Sequence, residues 1–147
     1  MTSEETRLYV MVVDMGGDIR HFKIEISSKL MRRISGVQTG CPTPIDLVMS
    51  VPLPLRFMAE AAEKHMHALL AEHHVTGEWF AFNMKLPEHK AAFHAAAKAA
   101  LDRQLGPDWA WSYADMKIVR SAMAATRSKE RQNLLHAYRM AKGLPMW

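Results

Sequence analysis

The residues able to do chemistry gather in the first half of the chain. Glu63 and His67 stand four apart in a segment of helical pattern, so their side chains share one face, at the edge of an apolar stripe. An ordinary surface pair has this spacing as readily as a site pair does. His65 falls on another face. Rings at His-x-His spacing on a helix point apart, and the chain has one cysteine, which speaks against a zinc site. His73 and His74 lie near the end of the segment, where they meet its last carbonyls. Lys23, Arg32 and Arg33 make a local positive spot suited to an anion. Cys41, beside Pro42 in a turn, suits a small filler better than a nucleophile.

These groups need a scaffold. The chain has 147 residues, enough for one compact domain with an extension. Apolar residues at 49% and charged residues at 23% are those of a globular protein, which argues against disorder. The apolar runs are short and broken by charge, so none is expected to span a bilayer. An acidic, polar N-terminus and a lone cysteine fit a cytoplasmic location.

Leu8 to Val13 is a short β-branched run, predicting a buried strand. Gly16-Gly17 predicts a hairpin turn into a second strand over Ile19 to Ile26. Ser27-Ser28 offers an N-cap for a short helix that Gly36 closes. Gln38 to Pro44 is expected to be a rigid loop. Ile45 to Val51 alternates as a third strand, ended by Pro52 and Pro54. A long helix is predicted from about Leu55 to His74, with Leu55, Met58, Ala62, Met66 and Leu69 on its apolar stripe. Gly77 to Phe80 is a loop leading into a short extended segment, Phe80 to Phe82. Beyond Asn83 the composition turns Ala-rich. Pro87 to Leu105 predicts a helix stopped by Gly106-Pro107, and 113–142 predicts one broken helix or two. The expected fold is therefore α/β of the α+β kind: a small three-stranded sheet flanked by helices, with a helical C-terminal extension. The boundary is set at Asn83, giving 1–83 and 84–147.

The order and text of these elements resemble the GIY-YIG nuclease superfamily, in the branch of small phage-type DNA-binding domains. The resemblance rests on Lys23-Ile24, Arg33, Gln38-Thr39-Gly40-Cys41-Pro42, Glu63 with His67, and Gly77-Glu78-Trp79-Phe80, and covers about residues 7–83. It implies that the protein binds DNA and hydrolyses phosphodiesters as an endonuclease using one divalent ion, Mg2+ or Mn2+. Carried over, the metal ligand is Glu63, Arg33 contacts the phosphate, Tyr9 helps deprotonate water, Lys23 stands at the second tyrosine's position, and His67 shares the site. Two positions depart from the family text. Arg7-Leu8-Tyr9 replaces Gly-Ile-Tyr, and Glu25 replaces the glycine of the second motif, where a residue without a Cβ lets phosphate approach. The alternative reading is a catalytically inactive relative serving as a DNA-binding, regulatory or protein-interaction module.

Charge is uneven. Residues 1–83 hold eight Lys/Arg and ten Asp/Glu, a net of −2; residues 84–147 hold eleven and five, a net of +6. The expected backbone contacts beside Arg32 are Lys117, Arg120, Arg127, Lys129 and Arg131. Trp109 and Trp111 either stack on exposed bases or pack the extension onto the domain. A protein partner or homodimer through the C-terminal helices is the further expectation, the twelve methionines suiting adaptable packing.

Overall fold

The computed structural model describes residues 5–143, the side chain of Thr126 excepted. They form two compact units, the first ending at Ala114 and the second beginning at Asp115.

The first unit is built on an antiparallel sheet. Strands β1 (Thr6–Asp14) and β2 (Ile19–Ser27) form the expected hairpin. Its turn needs Gly16 and Gly17, both at positive φ (98° and 76°), and the Gly16 N–H donates to Asp14 Oδ1 at 2.8 Å. Strand β3 (Ile45–Leu53) pairs with the other edge of β1 and runs on through Pro52. Proline is tolerated there because, among the described residues, β3 has a second neighbour only at Met49–Ser50, where the short β6 (Ser112–Tyr113) joins it. Strands β4 (His74–Thr76) and β5 (Trp79–Asn83) extend the sheet beyond β2, turning at Gly77 (φ 53°). The order is β4-β5-β2-β1-β3-β6. The α+β class is as expected, but the described sheet has six strands rather than three.

Helix α1 (Leu30–Thr39) runs past Gly36 and ends at Gly40, so Gln38 and Thr39 are helical rather than part of a loop. Gln38 fastens the turn that follows: its Nε2 donates to Thr43 O at 2.9 Å, and its Oε1 accepts from Ile45 N at 2.8 Å. Helix α2 (Arg56–Leu69) stops short of His74, and a 3-10 turn over Ala71–His73 follows. Its inward residues are Ala59, Ala62 and Met66, continued by Leu70, while Leu55 and Leu69 face solvent. Helix α3 (Pro87–Leu105) has the bounds expected of it.

The core lies on the face of the sheet that carries Leu8, Val10, Val12, Phe22, Ile24, Phe80 and Phe82. Alanines 59, 62, 96, 97 and 100 keep α2 and α3 slim enough to join it, and Phe93 and Leu101 of α3 complete it. Each fully buried large apolar side chain contributes about 1.5–3 kcal/mol. The composition shifts at Asn83, but α3 shares this core, and the compact unit runs on to Ala114. Trp109 and Trp111 pack within it. Trp109 Nε1 donates to Asp102 Oδ1 at 2.6 Å, and Trp111 stacks on Phe93 at 6.4 Å. The opposite face holds Tyr9, Met11 and Val13 of β1 and Lys23 and Glu25 of β2.

The second unit contains one unbroken helix, α4 (Met116–Lys142). Asp115 caps it, accepting from the Lys117 and Ile118 N–H groups, and Gly143 ends it in the left-handed conformation (φ 66°).

Candidate nucleic-acid and metal site

Hairpin register builds the site. Tyr9 stands directly opposite Glu25, and Lys23 lies two residues from Glu25 on the same strand, so all three side chains share the face opposite the main core. Helix α1 adds Arg33. The Arg33 guanidinium grips Glu25 with two bonds, Nε to Oε2 at 3.0 Å and Nη2 to Oε1 at 2.9 Å, the fork geometry arginine offers to planar oxyanions. Arg33 Nε also donates to Tyr9 Oη at 3.3 Å, and the Tyr9 hydroxyl donates to Glu25 Oε2. Lys23 Nζ lies 3.6 Å from Glu25 Oε2 and 3.3 Å from Glu78 Oε2, over the Trp79 ring at 5.3 Å. Tyr9, Lys23 and Arg33 thus converge, and they converge on Glu25.

The electrostatics follow from this packing. Burial pushes the Glu25 carboxyl up, but the hydrogen bonds from Tyr9 and Arg33 and the charges of Lys23 and Arg33 outweigh it, leaving the group below the usual range. Burial and the bond to Glu25 drive the Tyr9 phenol far above its ordinary value. The bonds to Tyr9 and Glu25 raise the Arg33 guanidinium further. Tyr9 is fully buried and acts as a proton donor, a geometry suited to holding an anion rather than to taking a proton from water.

Glu63 on α2 is half-buried. Desolvation raises its carboxyl pKa; His67 lowers it, the negative charges of Glu78 and Glu25 raise it, and a bond from the Ile26 backbone lowers it. Glu63 therefore lies within electrostatic reach of the cluster. Burial is the largest cause of the raised value, with the neighbouring carboxylates behind it, and a cation beside Glu63 would offset both. Mg2+ commonly takes only one or two protein carboxylates and completes its shell with water and substrate phosphate, so a lone Glu63 fits such an ion. Among the described residues no group of three or more His, Cys, Asp or Glu side chains could enclose a metal. His67 is occupied differently. Its Nε2 donates to the Ile24 carbonyl at 2.8 Å, and its ring packs on Phe80 at 4.9 Å. It fastens α2 to β2 beside the site.

Several other residues settle elsewhere. Arg32 is exposed, one position off the cluster. His73 bonds the Ala81 carbonyl at 3.2 Å and His74 that of Gly77 at 2.8 Å, both beyond the end of α2. Lys117, Arg120, Arg127, Lys129 and Arg131 are all exposed on α4, which holds seven Lys/Arg and one Glu. At 3.6 residues per turn, Lys117, Arg120, Arg127, Arg131, Arg139 and Lys142 fall on one side of the helix and Lys129 off it. Beside the cluster, His21, Lys23, Val37, Cys41, Pro42 and Trp79 line an open pocket of about 420 Å³. In the sequence Glu25 stands out only as a departure from the family text and Glu78 only within a matching motif; the structure makes Glu25 the centre of the cluster and Glu78 the second partner of Lys23. The sequence carries no signal for the pairing of Glu25 with Tyr9: a two-residue turn at Gly16-Gly17 would set Ile24 opposite Tyr9, and it is a hairpin loop one residue longer that sets Glu25 there.

Arginine, lysine and tyrosine of this α+β domain thus gather on one oxyanion, with a further half-buried carboxylate near them. A family model described as the T5orf172 domain matches residues 7–102, and the chain belongs to this family, a phage-associated domain family found in nuclease-like proteins. Comparison with curated proteins and with solved structures gave no match. No helix among the described residues is long and apolar enough to cross a membrane.

Proposed function

We propose that this protein binds DNA and hydrolyses its phosphodiester bonds with one divalent ion, as an endonuclease of the GIY-YIG type. The observation that carries the reading is the meeting of Arg33, Lys23 and Tyr9 on a single carboxylate, whose two oxygens stand in for two oxygens of a phosphate. Arg33 binds the phosphate through its fork. Lys23 supplies positive charge, and the Tyr9 hydroxyl donates to a phosphate oxygen. Glu63 would hold Mg2+ or Mn2+, and that ion supplies Lewis-acid neutralisation of the charge that builds on the phosphate. Water adds to phosphorus, one P–O ester bond breaks, and a phosphomonoester and an alcohol result. The basic side of α4 supplies sequence-independent affinity for the backbone.

A second reading, a catalytically inactive DNA-binding or regulatory module, is favoured by Glu25, whose charge is set against the very cations that phosphate requires. Nicking of supercoiled plasmid separates the two. The proposal expects cleavage that needs Mg2+ or Mn2+ and is lost in Glu63→Ala while DNA binding persists. Cleavage that survives in Glu63→Ala, or that proceeds in EDTA, overturns the metal role. Binding without cleavage under every metal condition leaves the second reading.

A further inference from the structure

We infer that Glu25 is a resident oxyanion occupying the phosphate seat formed by Arg33, Lys23 and the Tyr9 hydroxyl, so that a phosphate enters this seat only in exchange for the Glu25 carboxylate. The inference rests on the reading of these three residues as phosphate ligands and adds how their site is controlled.

Geometry carries it. The Glu25 carboxylate takes the Arg33 fork at 2.9 and 3.0 Å, lies 3.6 Å from Lys23 Nζ, and accepts the Tyr9 hydroxyl. Those are the donors a phosphate oxygen pair would use, and Glu25 engages all three. Charge agrees. Lys23 and Arg33 supply two positive charges, and Glu25 and Glu78 cancel both, with Glu63 adding further negative charge nearby. An arriving phosphate meets no surplus positive charge, and juxtaposed like charges oppose its entry. Withdrawal of Glu25 restores one positive charge and three donors together. A surface ion pair would have neither the burial of Tyr9 beneath it nor two cations sharing one carboxylate. The side chain of Glu25 is only 15% exposed, and Arg33, at 43%, is the member that an outside anion reaches first.

The test is isothermal titration of the full-length protein with inorganic phosphate in EDTA, so that no metal takes part. Glu25→Gln keeps the shape and removes the charge; Glu25→Ala removes both. The expected result is phosphate binding tighter by about tenfold or more in both variants than in the unaltered chain. The gain disappears when Arg33→Ala is combined with Glu25→Gln. Equal affinity in all three proteins overturns the inference, as does a gain that persists without Arg33. If both variants lose their cooperative unfolding transition, Glu25 is a structural keystone rather than a displaceable occupant, and the inference is again overturned. A variant that gains phosphate affinity yet leaves plasmid intact with Mg2+ sinks the hydrolase reading and leaves the seat assignment standing.

Discussion

Replacing Tyr9 by phenylalanine removes one oxygen from the centre of the cluster and tests whether the buried hydroxyl holds Glu25. Phenylalanine keeps the ring, so no cavity opens. What is lost is a hydrogen bond to a charged acceptor, a class of bond contributing about 1.5–3 kcal/mol. Tyr9 is fully buried, so its side of the bond is shielded from bulk solvent. Glu25 keeps both Arg33 bonds and is itself 15% exposed, so solvent recovers part of the loss. The expected destabilisation is the lower part of the range, about 1.5–2 kcal/mol. For a chain of this size each kcal/mol shifts Tm by about 2–4 °C, so Tm should fall by roughly 3–8 °C. The pH dependence carries the mechanism. A carboxyl with a lowered folded-state pKa contributes stability above its unfolded value, and that contribution vanishes as pH falls through the folded value. Tyr9 is one cause of the lowering at Glu25. The variant therefore has less to lose, and its deficit should be largest near neutral pH and shrink in acid. Urea unfolding of both proteins between about pH 7 and pH 3 measures this. An unchanged stability, or a deficit of constant size across that range, would refute the reasoning.

Three other outcomes follow from the same geometry. Glu63 has a raised pKa, so its ionised form opposes folding at neutral pH; Glu63→Gln should be more stable there in urea, with the advantage closing as pH falls below the folded-state value. Millimolar Mg2+ should raise the Tm of the unaltered chain and leave that of Glu63→Gln unmoved, since an ion that binds only the folded state stabilises it by mass action; equal shifts would place the ion elsewhere. Neutralising Lys117, Arg127 and Arg131 together by glutamine should weaken DNA binding and flatten the dependence of log K on log salt by about 0.9 for each duplex phosphate no longer neutralised; an unchanged slope in anisotropy titrations would show that α4 does not meet the backbone.

Much of this architecture was legible because local chemistry and global fold agree. Gly16-Gly17 demands a turn, the alternation after it demands a strand, and Pro87 and Gly106 bracket α3 as a start and a stop. Strands β4 and β6 were not legible, since three and two residues leave no periodicity; their pairing is set by the edges they meet. The core role of α3 was hidden by its alanines. Phe93, Ala96, Ala97, Ala100 and Leu101 have the spacing of a buried stripe, but alanine signals burial weakly. Gly36 looked like a helix stop, yet it lies in mid-helix because Gln38 and Gly40 close the turn beyond it. At the site, the family resemblance picked out Arg33, Lys23, Tyr9 and Glu63. It did not reveal that the first three are already spent on Glu25, because that depends on a strand register and on where α1 lies against it.

The most direct measurement of the central claim follows the arginine Nε–H resonances of the full-length protein as a short DNA duplex is added to saturation, with Ca2+ in place of a cleavage-supporting ion. The account predicts that the Arg33 resonance moves with DNA occupancy, together with those of the α4 arginines, and that Glu25→Gln enlarges the Arg33 response. A spectrum in which the α4 arginines shift while Arg33 stays fixed in both proteins would contradict it, leaving DNA on the helix and the Tyr9–Lys23–Glu25–Arg33 cluster as a structural ion-pair network.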